Sequence, residues 1–194
     1  GPNGIIRLED LEKAKKRIKV LILNASVGGR VVFETLNVDP NYNVVGFIDD
    51  DPRFKRVKIE GVPCFGGIAA LKDLKKKGID HIFVAVGNVR TREVVTKEVE
   101  VLGFKPINVI NPKSSISKTA KLGKNVWVKE MAVIERNTSI GDNCIVDSGA
   151  IVSHDNVIGD SCHLSPGCRF GGTVIVGKYS IRLERGFWFH REVP

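Results

Sequence analysis

From Ile116 to Val176 one period governs the chain. Ile116, Leu122, Val128, Ile134, Ile140, Val146, Val152, Ile158, Leu164, Phe170 and Val176 follow one another at strict spacings of six. Two places before most of them sits a small residue: Ala120, Val126, Ala132, Thr138, Cys144, Ala150, Cys162, Cys168 and Val174. Glycine follows the large residue at Gly123, Gly141, Gly159, Gly171 and Gly177, and these glycines are expected to make the turns. A large corner residue, a small stacking residue and a turn every six positions describe a β-helix of triangular coils. Three hexapeptides make a coil, so residues eighteen apart stack and no coil buries its own face alone. Position 182 is Arg, where the register lapses, which leaves a C-terminally short helix of roughly three and a half coils. Phe187, Trp188 and Phe189 are candidates for a cap over its open end.

The preceding half alternates strand and helix. Lys19–Asn24 is a continuous apolar run, as for a strand buried on both faces. Ala25–Arg30 reads as a turn, Val31–Leu36 as a helix, and Asn43–Ile48 as a second strand ending in Asp49-Asp50-Asp51-Pro52. Gly61, Pro63, Gly66 and Gly67 mark a turn-rich insertion before a helix from Ile68 to Lys77. Asp80–Val86 is a further strand, Thr91–Leu102 a helix and Lys105–Ile110 a last strand. Such alternation implies a parallel sheet covered on both faces. The expected organisation is therefore a Rossmann-like α/β domain over residues 17–111, a β-helix over 112–181 and a non-repeat tail over 182–194.

In a sheet of this kind ligands bind at the rim of the strand C-termini. Ser26, Gly28 and Gly29 offer backbone N–H groups at a helix start, suited to a phosphate. Asp49 ends the second strand, where it can accept hydrogen bonds from a ribose or a base, and Asn88 follows the later one. The competing reading is that these glycines only make tight turns. Asn24-Ala-Ser-Val-Gly-Gly lacks the full G-x-G-x-x-G, so a nicotinamide cofactor is not supported. On the repeat, Ser153-His154-Asp155 reads as an interruption of the coil. His154 is placed to act as a general base, with Asp155 to hold its tautomer and face the imidazolium. His163 falls on a neighbouring coil. Either histidine can equally be a surface or stacking residue.

The remaining composition narrows the partners. The net charge of +8 suits anions such as a nucleotide or coenzyme A, but its stronger reading is solvated lysine faces on helices. Much of it lies on runs such as Lys72–Lys77, and no aromatics interleave with it as a nucleic-acid surface requires. No apolar run approaches the ~20 residues of a membrane span and no signal peptide opens the chain, so a cytoplasmic protein is expected. Cys64, Cys144, Cys162 and Cys168 form no C-x-x-C pair, and no metal site is expected. A zinc centre on three histidines would need His190 of the tail beside His154 and His163.

Residues 19–178 resemble the bacterial family of sialic-acid O-acetyltransferases and UDP-4-amino-sugar N-acetyltransferases. The likeness is carried by Val45-Gly-Phe-Ile-Asp-Asp-Asp-Pro52, Ala85-Val-Gly-Asn88, Ser153-His-Asp-Asn-Val-Ile-Gly-Asp160 and His163-Leu-Ser-Pro-Gly167. It implies that the β-helix is left-handed and that the protein is a homotrimer. It also implies a sugar nucleotide, UDP-linked, on the Rossmann-like domain, and acetyl-CoA between adjacent helices. By position His154 matches the catalytic base, Asp155 the acid beside it, His163 a second active-site histidine, and Gly172 an oxyanion donor. Ser26, Gly28, Gly29, Asp49 and Asn88 match the nucleotide-sugar end, and Asp147 stands where the family has Asn near the acceptor amine. Asn24, Val27 and Gly28 replace a glycine, a glycine and a histidine of the family's turn. The function so implied is acetyl-CoA-dependent acetylation of a nucleotide-linked amino sugar, or a sialic-acid-type sugar, in surface-glycan biosynthesis. The alternative is a non-catalytic trimeric scaffold that binds the sugar nucleotide and lacks the coils of the coenzyme A site.

Overall fold

The computed structural model describes residues 17–182 and 187–188. The first domain is built from β1 (Ile18–Leu23), α1 (Val27–Asn37), β2 (Tyr42–Ile48), a short hairpin of β3 (Lys58–Ile59) and β4 (Val62–Pro63), α2 (Leu71–Lys76), β5 (His81–Val84), α3 (Val89–Val101) and β6 (Lys105–Pro106). Its four-stranded sheet is parallel, in the order β2-β1-β5-β6. The register decides where function can sit. Leu23 pairs with both Ile48 and Val84, so the three strands end level and Asn24, Asp49 and Ala85 lie side by side at the rim. One layer of the core contains Val32 and Leu36 of α1, the other Leu71 and Leu74 of α2 and Val99 of α3.

α1 begins four residues earlier than its apolar pattern suggests. Asn24 makes the turn with a φ of 98°, a left-handed conformation that Asn tolerates better than most side chains. A Cβ on Gly29 would lie 1.8 Å from the Asn24 carbonyl oxygen. That close approach lets the helix start directly behind the strand, with Gly28 and Gly29 inside its first turn.

The expected last strand, Lys105–Ile110, is two strands. β6 closes the first sheet, and β7 (Val109–Ile110) opens a face of the β-helix. Pro106 supplies no N–H to carry the ladder onward. Asn108 then turns the chain: its Nδ2 donates to the Gly123 carbonyl and its Oδ1 accepts from the Val126 amide. The helix thus begins before the boundary expected at residue 112.

Three parallel sheets form the prism. The first holds β7, β10 (Trp127–Val128), β13 (Ile145–Val146), β16 (His163–Leu164) and β19 (Ile181–Arg182). The second holds β8 (Ser115–Ile116), β11 (Val133–Ile134), β14 (Ile151–Val152), β17 (Arg169–Phe170) and β20 (Phe187–Trp188). The third holds β9 (Lys121–Leu122), β12 (Ser139–Ile140), β15 (Val157–Ile158) and β18 (Ile175–Val176). Paired residues stand eighteen apart throughout, as in Ile145 with His163 and Val152 with Phe170. This is the left-handed β-helix that the repeat and the resemblance together lead one to expect. The pairing runs past the last aliphatic of the repeat, since β19 and β20 keep the same register on β16 and β17. The side chains of Phe187 and Trp188, and all of Phe189, lie outside the described residues, as does His190.

Two details differ from the sequence reading. The turns are not at the glycines that follow the aliphatics. Positive φ recurs at Asn125, Met131, Asn137, Asn143, Gly149, Asp155, Ser161, Gly167, Thr173 and Tyr179, one every six residues. Gly141 serves close stacking instead, for its Cβ would lie 2.6 Å from the Asp160 amide on the next coil. Nor is Ser153-His154-Asp155 an interruption. It is an ordinary corner, with Asp155 in the turn position and Asn156 in the small-residue slot of the core. Asn156 is fully buried, yet Nδ2 donates to the carbonyls of Ser153 and Gly171 and Oδ1 accepts from Val174. Those bonds offset the cost of burying an amide.

The domains share a core. Trp127 and Ile145, on the outside of the first sheet, pack into the cluster of Val32, Phe47 and Phe83. α3 adds polar ties. Arg92 is fully buried and donates to the carbonyls of Val84, Val86 and Asn125. Glu93 accepts from Lys97 at 2.6 Å, Lys178 at 3.0 Å and Ser161 at 3.1 Å, the last two on the β-helix. Hydrogen bonds from Lys97 foremost, then Tyr179, hold the Glu93 carboxyl well below the usual carboxylate range. A depressed carboxyl pKa contributes stability above its unfolded value, and that contribution fades as pH falls through the folded one. Glu93→Gln is therefore expected to cost about 2 kcal/mol at pH 7, from loss of charge-assisted bonds. Urea denaturation should show the gap to wild type intact at neutral pH and closing below about pH 4. A gap of constant size down to pH 3 would contradict this.

Candidate active site

The strand-tip rim holds the first group of candidate residues. Asn24 ties it together: Nδ2 donates to the Ala85 carbonyl at 3.1 Å and Oδ1 accepts from the Ser26 amide at 2.8 Å. Asp49 accepts the Ala25 amide on one oxygen, at 2.7 Å, and the Asp51 amide on the other, at 2.9 Å. Much of its work is to shape the loop, with lone pairs left for a ligand. Asn88 caps α3 by accepting from the amides of Arg90 and Thr91. Ser26 is the N-cap of α1, and its side chain makes no capping bond. Beside these residues a cavity of about 240 Å³ is lined by Leu23, Asn24, Ile48, Asp49, Asp50, Ile68 and Val86. Gly28 lies on the other flank. A Cβ there would lie 3.2 Å from the Ala85 carbonyl and 3.9 Å from the Trp127 ring.

Trp127 leads from the rim to the second group. It meets Phe83 edge to face, and the Lys129 ammonium lies 4.6 Å from the centre of its ring. Lys129 Nζ is 2.9 Å from Asp147 Oδ1, and Asp147 Oδ2 is 3.0 Å from His163 Nε2. Burial alone would raise the Asp147 carboxyl, but bonds from His163, Lys129 and the Ser148 amide outweigh it and hold the group well below the usual range. Trp127, Ile145 and His163 stack along one outer face. The first two pack into the core of the Rossmann-like domain, while the side chain of His163 is 27% exposed.

His154 and Asp155 form the third group. Nδ1 of His154 is 2.8 Å from Asp155 Oδ2, and Asn137 Nδ2 donates to the other oxygen at 3.0 Å. The Asn137 amide first, and the His154 ring second, keep the Asp155 carboxyl below its ordinary pKa. The His154 amide donates to Glu135. The ring lies over Gly172, the residue eighteen ahead, where a Cβ would be 2.7 Å from Nε2. A neutral imidazole whose Nδ1–H donates to Asp155 presents an unprotonated Nε2, the form a general base requires. The side chains of His154 and Asp155 are 53% and 44% exposed.

The structure joins the first two groups and separates the third. Ser26, Gly28, Gly29 and Asp49 share one rim, and Trp127 and Lys129 link that rim to Asp147 and His163. His154, Asp155 and Gly172 lie at a corner between the second and third sheets, and no hydrogen bond among the described residues joins them to His163. Reading the sequence residue by residue passes over Lys129, Asn137 and Glu135. The repeat contains the missing signal, because Lys129 stands eighteen before Asp147 and Asn137 eighteen before Asp155. Among the described residues no cluster of three or more metal-ligating side chains occurs. No described helix is long and apolar enough to cross a membrane.

A parallel sheet with a ligand rim, running into a β-helix that bears a histidine–carboxylate pair, defines a Rossmann-linked hexapeptide-repeat acyltransferase. The family described as the PglD N-terminal domain matches residues 19–99. A structure of perosamine N-acetyltransferase from Caulobacter crescentus, with CoA and GDP-perosamine, is 32% identical with a TM-score of 0.79; the match covers 84% of this chain and 76% of that one. The acetyltransferase domain of PglB from Neisseria gonorrhoeae, with acetyl coenzyme A, is 31% identical with a TM-score of 0.78, covering 85% and 78%. The probable polysaccharide biosynthesis protein EpsC of Bacillus subtilis is 32% identical over 79 residues, which are 39% of this chain and only 13% of that protein. The chain belongs to the family of sugar acetyltransferases that couple a Rossmann-like domain to a left-handed β-helix, as its resemblance to the sialic-acid O-acetyltransferases and UDP-4-amino-sugar N-acetyltransferases implies.

Proposed function

We propose that the protein transfers the acetyl group of acetyl-CoA to an amino sugar linked to a nucleoside diphosphate, in the making of a surface glycan. The observation that carries this reading is the His154–Asp155 pair seated over Gly172. In this mechanism the nucleotide occupies the rim at Ser26, Gly28, Gly29, Asp49 and Asn88, and the sugar extends toward Asp147 and His163. His154 Nε2 takes a proton from the acceptor amine as nitrogen attacks the thioester carbonyl. Asp155 faces the imidazolium that forms, and the Gly172 amide donates to the oxyanion. Collapse of the adduct breaks the C–S bond, forms the amide and returns the proton to the leaving thiolate.

The working form in this proposal is a homotrimer. The base is half exposed and lies at a different corner from the acceptor cluster, as a site shared between adjacent copies requires. The perosamine N-acetyltransferase structure holds GDP-perosamine; the form proposed here is the uridine one, on the resemblance to the UDP-4-amino-sugar N-acetyltransferases. Calorimetry with acetyl-CoA, UDP and GDP separately, followed by a thiol-release assay on the matching 4-amino-sugar nucleotide, tests it. Expected are binding of acetyl-CoA, preference for UDP, and turnover by a species of three chains in sedimentation equilibrium. Nucleotide binding with no acetyl-CoA binding would sink the enzyme in favour of the scaffold. Preference for GDP would overturn the uridine assignment alone.

A further inference from the structure

The Lys129–Asp147–His163 chain carries an inference about which nitrogen of His163 faces the substrate. Asp147 is almost wholly buried, and each carboxylate oxygen is committed. Oδ1 receives Lys129 Nζ at 2.9 Å and the Ser148 amide at 2.8 Å, and Oδ2 faces His163 Nε2 at 3.0 Å. An ionised carboxylate only accepts hydrogen bonds. The nitrogen that meets it must therefore carry the proton. A neutral imidazole has one N–H and one lone pair, so protonation at Nε2 leaves the lone pair on Nδ1. No described residue is hydrogen-bonded to that Nδ1. The His163 side chain is 27% exposed, and through Asp147, Lys129 and Trp127 it connects to the strand-tip rim.

An amide at position 147 would do the opposite. Its oxygen would satisfy Lys129 and the Ser148 amide, and its NH₂ would be left to face His163. An NH₂ donates, so Nε2 would have to accept, and the ring proton would move to Nδ1. A carboxylate and an amide of nearly the same shape thus select opposite tautomers. Lys129 makes the carboxylate tenable, since its ammonium offsets the cost of holding a buried negative charge.

We propose that Asp147 is a positioning residue, held ionised by Lys129, which fixes His163 as the Nε2–H tautomer and presents Nδ1 as a hydrogen-bond acceptor to the acceptor sugar. The ligand group this recognises is a donor, a sugar hydroxyl or ammonium. The last step rests on the acetyltransferase reading; the tautomer does not. The first measurement is made on the intact protein without substrate. Histidine ring nitrogens are labelled with ¹⁵N, His163 is assigned by its loss in His163→Gln, and the rings are observed at a pH where they are neutral. The expected spectrum has a pyridine-like Nδ1 and a pyrrole-like Nε2 for His163, exchanged in Asp147→Asn. Lys129→Met is expected to keep the wild-type tautomer while lowering its share. A pyridine-like Nε2 in the wild-type protein would overturn the proposal without any variant, as would an unchanged tautomer in a folded Asp147→Asn. A tautomer as expected, with no acetyl transfer to any amino-sugar nucleotide, would instead count against the enzyme.

Discussion

His154→Ala is expected to lower kcat by about 10²–10⁴-fold while leaving acetyl-CoA affinity nearly unchanged, the range for losing a positioned general base. The structure refines the series around it. Asp155→Asn keeps a group beside Nδ1 but removes the charge that faces the imidazolium and the fixed acceptor for Nδ1–H, so it should cost less than loss of the ring. Asn137→Ala should cost less again, since it frees one oxygen of Asp155 and leaves the 2.8 Å contact to His154 in place. Gly172→Ala is the telling variant. Its methyl group would occupy the space of the ring, with Nε2 2.7 Å away, so His154 must swing out. The expectation is a loss close to that of His154→Ala with unfolding unchanged, read from steady-state kinetics beside a thermal melt. An active Gly172→Ala enzyme would show that the seated ring is not the reactive one.

The largest expected loss of stability falls on a residue outside the site. Arg92→Met should destabilise the protein by about 3 kcal/mol or more, because it leaves the carbonyls of Val84, Val86 and Asn125 without their guanidinium donor in a dry interior. Burial pushes the Arg92 pKa down to about 9, which still leaves the group protonated at neutral pH. The guanidinium also lies 4.8 Å from the centre of the Phe83 ring, so the variant loses a cation–π contact as well. Arg90→Met is the control. Arg90 is exposed, 4.2 Å from the centre of the Tyr179 ring, and its loss should cost about 0.5–1 kcal/mol. Equal midpoints for the two variants in chemical denaturation would contradict the account of Arg92. Because Arg92 bonds both β5 and the Asn125 turn, its removal should also loosen the domains against each other, seen as faster hydrogen exchange at α3.

By itself the sequence determined the prism. A six-residue period leaves few alternatives, since only a three-sided coil brings every large residue inward and stacks position n on position n + 18. The same rule applied once more places Gly172 over His154, Asn137 under Asp155 and Lys129 under Asp147. Half of each cluster was thus implicit in the numbering, because stacking in a β-helix is local and strictly periodic. The Rossmann-like half was legible in its order of elements but not at their ends. There Asn24 in a left-handed turn and the close contact at Gly29 set where α1 begins, and Pro106 with Asn108 set where one sheet stops and the next starts. Tertiary structure alone decided which face of the prism the first domain covers. Nothing periodic marks Trp127 and Ile145 as packing against the first domain, or Arg92 and Glu93 as buried on α3. Those choices arise from one large contact between domains, where a buried charge is tolerable only because carbonyls from both sides converge on it. The same contact brings Trp127 and Lys129 beside the rim, and so ties Asp147 and His163 to it, while His154 stays open at another corner.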